Sequence, residues 1–250
     1  MRRFFVDSEY ISDDTVAINS RDARHIARVL RLRPGDCIQV VDSAGRELEV
    51  ELEHVSDTRA AGTIRSVTER VSTIPGVSIT LVQGIPKGDK MDFIVQKCTE
   101  LGVTRFMPVT TSRSVSKPDE KSCGRKGERW RRIAAEAAKQ CGTGKSPEVC
   151  DVVSLQHALA VLVDEGTTIL LPWELETDRS LRAAFDGGLA HCDGRLAMVV
   201  GPEGGFSQDE VEFAVELGVV TVSLGKRILR TETAGMAVAA VLMYELGELG

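Results

Sequence analysis

The sequence lacks any long apolar segment. No apolar run reaches the roughly 18 residues that a membrane-spanning helix needs, and the N-terminal stretch MRRFFVDSEY has no apolar core of a secretory signal. Its 250 residues are 42% hydrophobic and 27% charged, which is typical of globular proteins and argues against disorder, collagen or a coiled coil. We therefore expect a soluble cytoplasmic protein with one large domain or two smaller ones.

Closely spaced metal ligands are also missing. None of the six cysteines belongs to a C-x-x-C pair and the four histidines are scattered, so we expect no metal site. The even number of cysteines allows disulfides, but buried free thiols fit better a chain of this length without an export signal. The cysteines are Cys37, Cys98, Cys123, Cys141, Cys150 and Cys192.

The formal net charge of −6 hides an uneven distribution. Counted along the sequence, residues 73–145 carry a net +7, whereas residues 1–72 carry −2 and residues 146–250 carry −11. Two basic clusters stand out. One is a predicted helix over residues 21–33, and the other runs from Lys121 to Lys145. The apolar stripe of the predicted helix consists of Ile26, Val29 and Leu30. Its basic stripe consists of Arg21, Arg24, Arg28 and Arg31. Each cluster alone is equally consistent with a solvated helix face, but together they favour phosphate binding.

Residues 1–72 have the pattern of a small β-barrel. Residues 37–42 and 47–53 alternate apolar and polar side chains around a short turn, which predicts a β-hairpin, and residues 60–67 predict a further strand. The pattern changes near residues 72–76, so we place a domain boundary there and predict domains of residues 1–72 and 73–250.

From residue 77 onward, strand patterns alternate with helix patterns. This alternation predicts an α/β domain with a mainly parallel sheet. The predicted strands are 77–84, 103–109, 167–174, a strand from 195 running into a glycine-rich turn at 201–206, and 219–225; the predicted helices are 90–101, 128–140, 207–217 and 231–246.

Three loops follow strands of this predicted sheet, where open α/β proteins bind ligands. They are residues 171–174, 201–205 and 224–234. The middle loop is neither a G-x-G-x-x-G nor a Walker sequence and contains Glu203, so nucleotide phosphate binding fits badly; a simple tight turn and a close approach to a flat ligand both stay open. The third loop mixes apolar and charged residues, which favours a pocket wall.

The segments GPEGGFSQDE and LGKRILRTETA resemble signatures of the RsmE family, the 16S ribosomal RNA uridine N3-methyltransferases. MRRFFV, HIARVLRLRPGD, KGDKMDFIVQKCTELGV and ERWRRIAAEAAKQCG are similar to family segments in the same order. The resemblance implies a PUA-like β-barrel, a SPOUT domain with a deep C-terminal trefoil knot, S-adenosylmethionine as cofactor and a homodimer packed through the knot. The implied substrate is uridine 1498 of 16S RNA in the small ribosomal subunit. One departure is Thr143, where the family often has arginine; Lys145 lies two residues further on.

On this resemblance we build a hypothesis for the active site. Arg230 stabilises negative charge on the uracil or grips a phosphate, and Glu203 or Glu232 takes the N3 proton. A sulfonium methyl donor needs no metal. The expected cofactor-binding residues are Leu171, Pro172, Gly201, Glu203, Gly204, Gly205, Leu224, Gly225, Ile228, Leu229, Thr233 and Ala234.

The basic residues are expected to form an RNA-binding surface. The candidates are Arg2, Arg3, Arg21, Arg24, Arg28, Arg31, Lys87, Lys90, Arg113, Arg129, Arg132 and Lys145. Two other interpretations remain open, a SPOUT methyltransferase for another RNA site or atom and a non-catalytic RNA-binding assembly factor. A Rossmann-type methyltransferase is disfavoured, because no strand leads into a G-x-G-x-G turn at the start of the α/β half.

Overall fold

A computed structural model of the chain describes residues 3–6, 8–12, 14–42, 46–68, 78–114, 120–143, 145–187 and 194–249. The chain divides into two compact units. The first comprises Met1–Thr73 with Lys139–Lys145, and the second comprises Ile74–Ala138 with Ser146–Gly250.

The first unit contains a six-stranded sheet in the order β1-β4-β5-β6-β3-β2. All neighbouring strands are antiparallel except β1 and β4. The predicted hairpin is confirmed, since Ile38 pairs with Val50, and alternate residues of β5 are buried. The strands are β1 (Arg3–Val6), β2 (Ile11–Ser12), β3 (Thr15–Asn19), β4 (Cys37–Asp42), β5 (Glu47–Val55) and β6 (Arg59–Thr68), with a 3₁₀ turn at Ser8–Tyr10.

The predicted helix over residues 21–33 is shorter than expected. It consists of α1 (Ser20–Arg24) followed by a π-helical turn at His25–Val29. The wider π turn changes the angle between successive side chains, so Val29 is exposed while Ile26 stays buried. Arg31 lies beyond the helix with a φ of 53°. The predicted stripes were therefore wrong at Val29 and Arg31.

The second unit contains a seven-stranded sheet in which every pair is parallel. The order is β10-β8-β7-β12-β11-β13, and β9 also pairs with β8. This confirms the predicted α/β domain. The strands are β7 (Ser78–Gly84), β8 (Arg105–Thr110), β9 (Glu148–Val149), β10 (Val153–Ser154), β11 (Thr168–Pro172), β12 (Arg195–Val200) and β13 (Val220–Val222).

Helices cover both faces of this sheet. On β12, Leu196 and Met198 pack into a core with α2, α3, α5 and α7, whereas Ala197 and Val199 pack into a second core with α4 and α6. The sequence patterns predicted α2, α3, α6 and α7, but not α4 or α5. The helices are α2 (Lys90–Glu100), α3 (Glu120–Cys141), α4 (Leu155–Asp164), α5 (Leu181–Asp186), α6 (Gln208–Glu216) and α7 (Thr231–Glu245).

The expectation of buried thiols holds for only part of the cysteine set. Cys98, on α2, is buried in the core, and burial raises the pKa of its thiol to about 12. Cys37 and Cys141 are exposed, so the prediction of burial was wrong for these two. Cys37 opens strand β4 and Cys141 ends α3, and both places face solvent. Cys192 lies outside the described residues.

Candidate functional site

Four neighbouring strands of the parallel sheet end at one edge. Their last residues are Gly84 of β7, Val200 of β12, Pro172 of β11 and Val222 of β13. The loops predicted to bind a ligand follow β11, β12 and β13, so the sheet brings all three together.

The glycine-rich loop after β12 folds tightly back on itself. A Cβ at Gly84 would lie 2.5 Å from Pro202 Cδ, and a Cβ at Gly201 would lie 3.2 Å from the backbone of Gly205. Gly205 has a φ of 65°, and its N–H donates to Pro202 O at 2.9 Å. These positions accommodate only glycine without a shift of the backbone, so the loop needs its glycines for close packing.

The loop after β13 begins against the loop after β11. Trp173 N–H donates to Val222 O at 3.0 Å, and Ser223 N–H donates to Arg179 O at 2.8 Å. Ser180 and Ser223 form an isolated parallel bridge. The segment that leads to the candidate cofactor and catalytic residues is therefore held on one side by residues 173–180.

The other end of this segment is held by buried side chains. Gln83, at the end of β7, donates through Nε2 to Thr231 Oγ1 at 2.9 Å, and Thr231 donates to Gly201 O at 2.6 Å. Thr231 is the first residue of α7. Strand β7, the glycine-rich loop and α7 are thus joined at one point.

An ammonium group bridges the two glutamates proposed as bases. Lys90 Nζ lies 2.7 Å from Glu203 Oε1 and 3.8 Å from Glu232 Oε2. Burial alone raises the pKa of Glu203, but hydrogen bonds from Lys90 Nζ and from the N–H of Lys87 outweigh burial and hold that pKa below its ordinary value. The hydrogen bond to Glu203 raises the pKa of Lys90. Glu203 therefore accepts hydrogen bonds from the start of α2 as a carboxylate.

Two buried side-chain oxygens near this edge have no hydrogen-bond partner among the described residues. They are Gln83 Oε1 and Glu232 Oε2. Arg230 is the N-cap residue of α7, its side chain makes no capping hydrogen bond, and it is exposed. The site thus combines an exposed guanidinium with a carboxylate oxygen that is available as an acceptor.

The predicted cofactor-binding residues differ in their surroundings. Leu224 and Leu229 are half-buried against the core, whereas Ile228 is 89% exposed. Leu171 is fully buried, and its side chain packs in the core with α4 and α6. The N–H groups of Thr233 and Ala234 donate to Arg230 O within the first turn of α7. Pro172 and Gly204 lie at the same edge as Gly201, and Gly225 has a φ of 96° with no atom within 4 Å of where a Cβ would stand.

Several predicted RNA-binding side chains have protein partners. Arg113 donates to Gly204 O at 3.0 Å, Arg28 pairs with Asp57, and Arg129 pairs with Asp92. The N–H of Lys87 and the ammonium of Lys90 bond to Glu203. Arg24, Arg31, Arg132 and Lys145 are exposed, as is Thr143. Arg2 lies outside the described residues, and so do the side chains of Arg3 and Arg21.

Several residues of the site were not found from the sequence. Gln83 stands in the otherwise apolar run SITLVQG, and a lone glutamine at the end of a buried strand is the signal that marks it. Thr231 carried no comparable signal, because it is a small polar residue at an ordinary element boundary. Glu210 lies three residues after Ser207, a spacing that predicts a capping box, and the structure confirms the box at the start of α6.

In the part of the chain that the structure describes, no group of three or more histidine, cysteine, aspartate or glutamate side chains is placed to hold a metal ion. A helix long and apolar enough to cross a membrane was also sought in those residues, and none was found.

Comparison with known proteins decides the family. Residues 74–243 match the model of an RNA methyltransferase domain, and residues 18–64 match that of an RNA methyltransferase PUA domain. A ribosomal RNA small subunit methyltransferase E from Bacillus subtilis is 35% identical over 98% of this chain and 97% of its own length. The chain belongs to the ribosomal RNA small subunit methyltransferase E family. A Synechocystis member is 32% identical over 93% of this chain and 74% of its own length.

A solved structure supports the same assignment. The crystal structure of the methyltransferase E from Neisseria gonorrhoeae, bound to S-adenosyl methionine, superposes with a TM-score of 0.81 at 34% identity. It covers 98% of this chain and 97% of its own. The predicted resemblance is therefore confirmed. Members of this family are enzymes, and this member has the SPOUT-type α/β domain and the PUA-like domain that the resemblance implied.

Proposed function

We propose that this protein transfers a methyl group from S-adenosylmethionine to N3 of uridine 1498 of 16S RNA in the small ribosomal subunit. The observation that carries the proposal is the similarity to curated small subunit methyltransferases along 98% of the chain. The three strand-end loops converge on one sheet edge, which supports the proposal because the cofactor and the target uracil must bind at one shared site.

The residues at this edge fit S-adenosylmethionine. Gly201, Gly204 and Gly205 carry no side chains, so the backbone of the glycine-rich loop can approach the cofactor closely. The half-buried Leu224 and Leu229 offer apolar surface to an adenine. Residues 201–205 and 224–234 would hold the cofactor, which supplies an electrophilic methyl group on a sulfonium centre when bound.

The protein's own residues must handle the proton and the charge of the uracil. N3 becomes nucleophilic when its proton leaves, and negative charge then spreads onto the ring oxygens. Of the two candidate bases, Glu232 fits better, because its Oε2 has no hydrogen-bond partner in the described structure whereas Glu203 accepts from Lys87 and Lys90. Arg230 is exposed next to Glu232 and would stabilise the developing charge.

The same proposal includes the RNA surface and the assembly. Exposed cations of both basic clusters, including Arg24, Arg132 and Lys145, would bind RNA phosphates. A homodimer through the α/β domain would cover the exposed Phe93 on α2 together with Val241 and Tyr244 on α7. We also propose the domain limits 1–72 and 73–250, a cytoplasmic location of the protein and a C-terminal trefoil knot.

The decisive experiment is methyl transfer from labelled S-adenosylmethionine to small ribosomal subunits that lack the modification, followed by nucleoside analysis. N3-methyluridine at position 1498 is the expected product. Methylation of another nucleoside or atom would show that the protein is a methyltransferase with a different target. Cofactor binding without transfer would redirect the search to other RNAs, and the absence of both would favour an assembly factor.

A further inference from the structure

A buried chain of hydrogen bonds joins three segments that are far apart in the sequence. Gln83 is fully buried and Thr231 is 7% exposed. Gln83 Nε2 donates at 2.9 Å to both Gly84 O and Thr231 Oγ1, and Thr231 Oγ1 donates at 2.6 Å to Gly201 O. The direction of these bonds is fixed, because the two carbonyl oxygens only accept and the hydroxyl hydrogen of Thr231 is used on Gly201.

This series of hydrogen bonds includes Thr231, which lies between Arg230 and Glu232, the two residues proposed to act on the uracil. Arg230 has an extended backbone with φ −67° and ψ 153°, and the helix begins at Thr231. Glu232 follows immediately. Fixing the side chain of Thr231 on Gly201 therefore fixes where the side chains of Arg230 and Glu232 leave the backbone.

Few other interactions hold the start of α7 in place. The N–H groups of Thr233 and Ala234 bond to Arg230 O, but these bonds lie within α7 and do not tie it to the sheet. The carboxylate of Glu232 lies 3.8 Å from Lys90 Nζ, which is an ion pair rather than a close hydrogen bond. Within the described residues, the Gln83 and Thr231 side chains form the direct hydrogen-bonded link from this helix turn to β7 and to the glycine-rich loop, beside the longer ion pair of Glu232 with Lys90.

We propose that Gln83 and Thr231 are positioning residues for methyl transfer, which hold Arg230 and Glu232 in register with the glycine-rich loop. This inference rests on the proposed function, since it assigns the catalytic roles to Arg230 and Glu232. Neither positioning residue needs to touch the uracil. Their effect on the rate comes from geometry, because a displacement of about 1 Å in a reacting group can cost about a hundredfold in rate.

The test compares Thr231→Val, which removes the hydroxyl at nearly constant volume, with Thr231→Ser, which keeps it. We expect Thr231→Val to lower kcat about 10- to 100-fold at saturating substrates, with the KM for S-adenosylmethionine changed less than about threefold. Thr231→Ser should stay within about threefold of the original kcat. All rates are measured well below the unfolding temperature of each variant.

Gln83→Met and Thr104→Val complete the design. Gln83→Met removes the hydrogen bonds from Gln83 to Gly84 O and to Thr231 Oγ1 but keeps the Thr231 bond to Gly201, so we expect an intermediate loss of kcat. Thr104 donates to Ile79 O at 3.1 Å, at the opposite end of β7. Thr104→Val therefore removes a hydroxyl-to-carbonyl hydrogen bond to strand β7 at a place remote from the site, and should leave kcat unchanged.

Amide hydrogen exchange of residues 231–235 in the protein without cofactor gives a readout that is independent of activity. We expect exchange at least about tenfold faster in Thr231→Val than in Thr231→Ser, because the hydroxyl no longer anchors the helix start. A folded Thr231→Val variant with unchanged kcat and unchanged exchange would overturn the inference. If Thr231→Val fails to fold, an unchanged kcat and exchange in Gln83→Met would overturn it instead.

The two proposals fail in distinguishable ways. If the original protein transfers no methyl group, the proposed function fails, and the exchange rates of residues 231–235 still decide whether Gln83 and Thr231 anchor α7. If the original protein is active and the variants match it, only the positioning role is lost.

Discussion

Glu210 and Ser112 are joined by two hydrogen bonds, from Ser112 N–H to Oε1 at 2.7 Å and from Ser112 Oγ to Oε2 at 3.0 Å. The same carboxylate accepts from the N–H and the hydroxyl of Ser207 at the start of α6. Glu210 is buried, so it connects the loop after β8 with the end of the glycine-rich loop inside the protein. Arg113, next to Ser112, then donates to Gly204 O.

Loss of this carboxylate should destabilise the fold. Glu210→Ala removes up to four hydrogen bonds to a carboxylate, and a hydrogen bond to a charged group contributes about 1.5–3 kcal/mol. We expect the free energy of unfolding to fall by about 2–3 kcal/mol, measured by urea denaturation. The control is Glu216→Ala at the exposed end of the same helix, which should change it by less than about 0.5 kcal/mol. Equal effects of the two substitutions would contradict the role of Glu210.

The close approach at Gly84 predicts a second stability effect. An alanine Cβ at this position would lie 2.5 Å from Pro202 Cδ and 2.7 Å from Pro202 N, so the glycine-rich loop has to move. We expect Gly84→Ala to destabilise the protein by about 1–3 kcal/mol. Because the loop moves, Gly84→Ala should also weaken binding of S-adenosylmethionine.

Gly124 offers a matched control for Gly84. It lies within α3, and a Cβ there would meet no atom within 4 Å. Gly124→Ala should therefore stabilise the protein by up to about 1 kcal/mol through helix propensity. Thermal unfolding and calorimetric cofactor titration measure both variants. Unchanged cofactor affinity in a folded Gly84→Ala variant would show that the loop does not hold the cofactor.

The proposed catalytic roles predict different kinetic effects for the two glutamates. Glu232→Gln should lower kcat about a hundredfold or more, as expected for loss of a general base. Glu203→Gln should lower kcat much less, because Glu203 already accepts hydrogen bonds from Lys87 and Lys90. Single-turnover methyl transfer over a range of pH separates them, since only removal of the base abolishes the fall in rate on the acidic side. A larger loss in Glu203→Gln would reverse the assignment.

Arg230 should affect the reaction more than it affects cofactor binding. We expect Arg230→Ala to lower kcat about a hundredfold, because charge on the uracil is no longer stabilised, with a modest change in the Kd of S-adenosylmethionine. Steady-state kinetics and calorimetry give both values. If kcat and cofactor affinity fall equally, Arg230 binds cofactor or supports the fold instead.

Two arginines on α3 provide a matched test of the RNA surface. Arg129 pairs with Asp92, whereas Arg132 is exposed and has no ion pair among the described residues. Arg132→Ala should weaken binding to 16S RNA and reduce the slope of log K against log salt by about one. Arg129→Ala should have a smaller effect, because its charge is already partly neutralised. Filter binding at several salt concentrations tests this, and a salt-independent affinity would contradict phosphate binding altogether.

The extent of sequence prediction differed between elements. The hairpin of β4 and β5, the helices α2, α3, α6 and α7 and the parallel sheet were predictable, because each has a clear apolar period or capping signal. The helices α4 and α5 were missed. The π-helical turn at His25–Val29 was invisible to a pattern that assumes 3.6 residues per turn, which explains the errors at Val29 and Arg31.

The sequence by itself determined the alternation of elements, the three loops at the strand ends and, through GPEGGFSQDE and LGKRILRTETA, the family. Those features are local, since they depend on residues close together in the chain. Only the tertiary structure decided that Gln83 bonds to Thr231, that Lys90 bridges Glu203 and Glu232, and that Ser112 bonds to Glu210. These contacts join residues about 100 or more positions apart, and the order of the parallel strands brings them together.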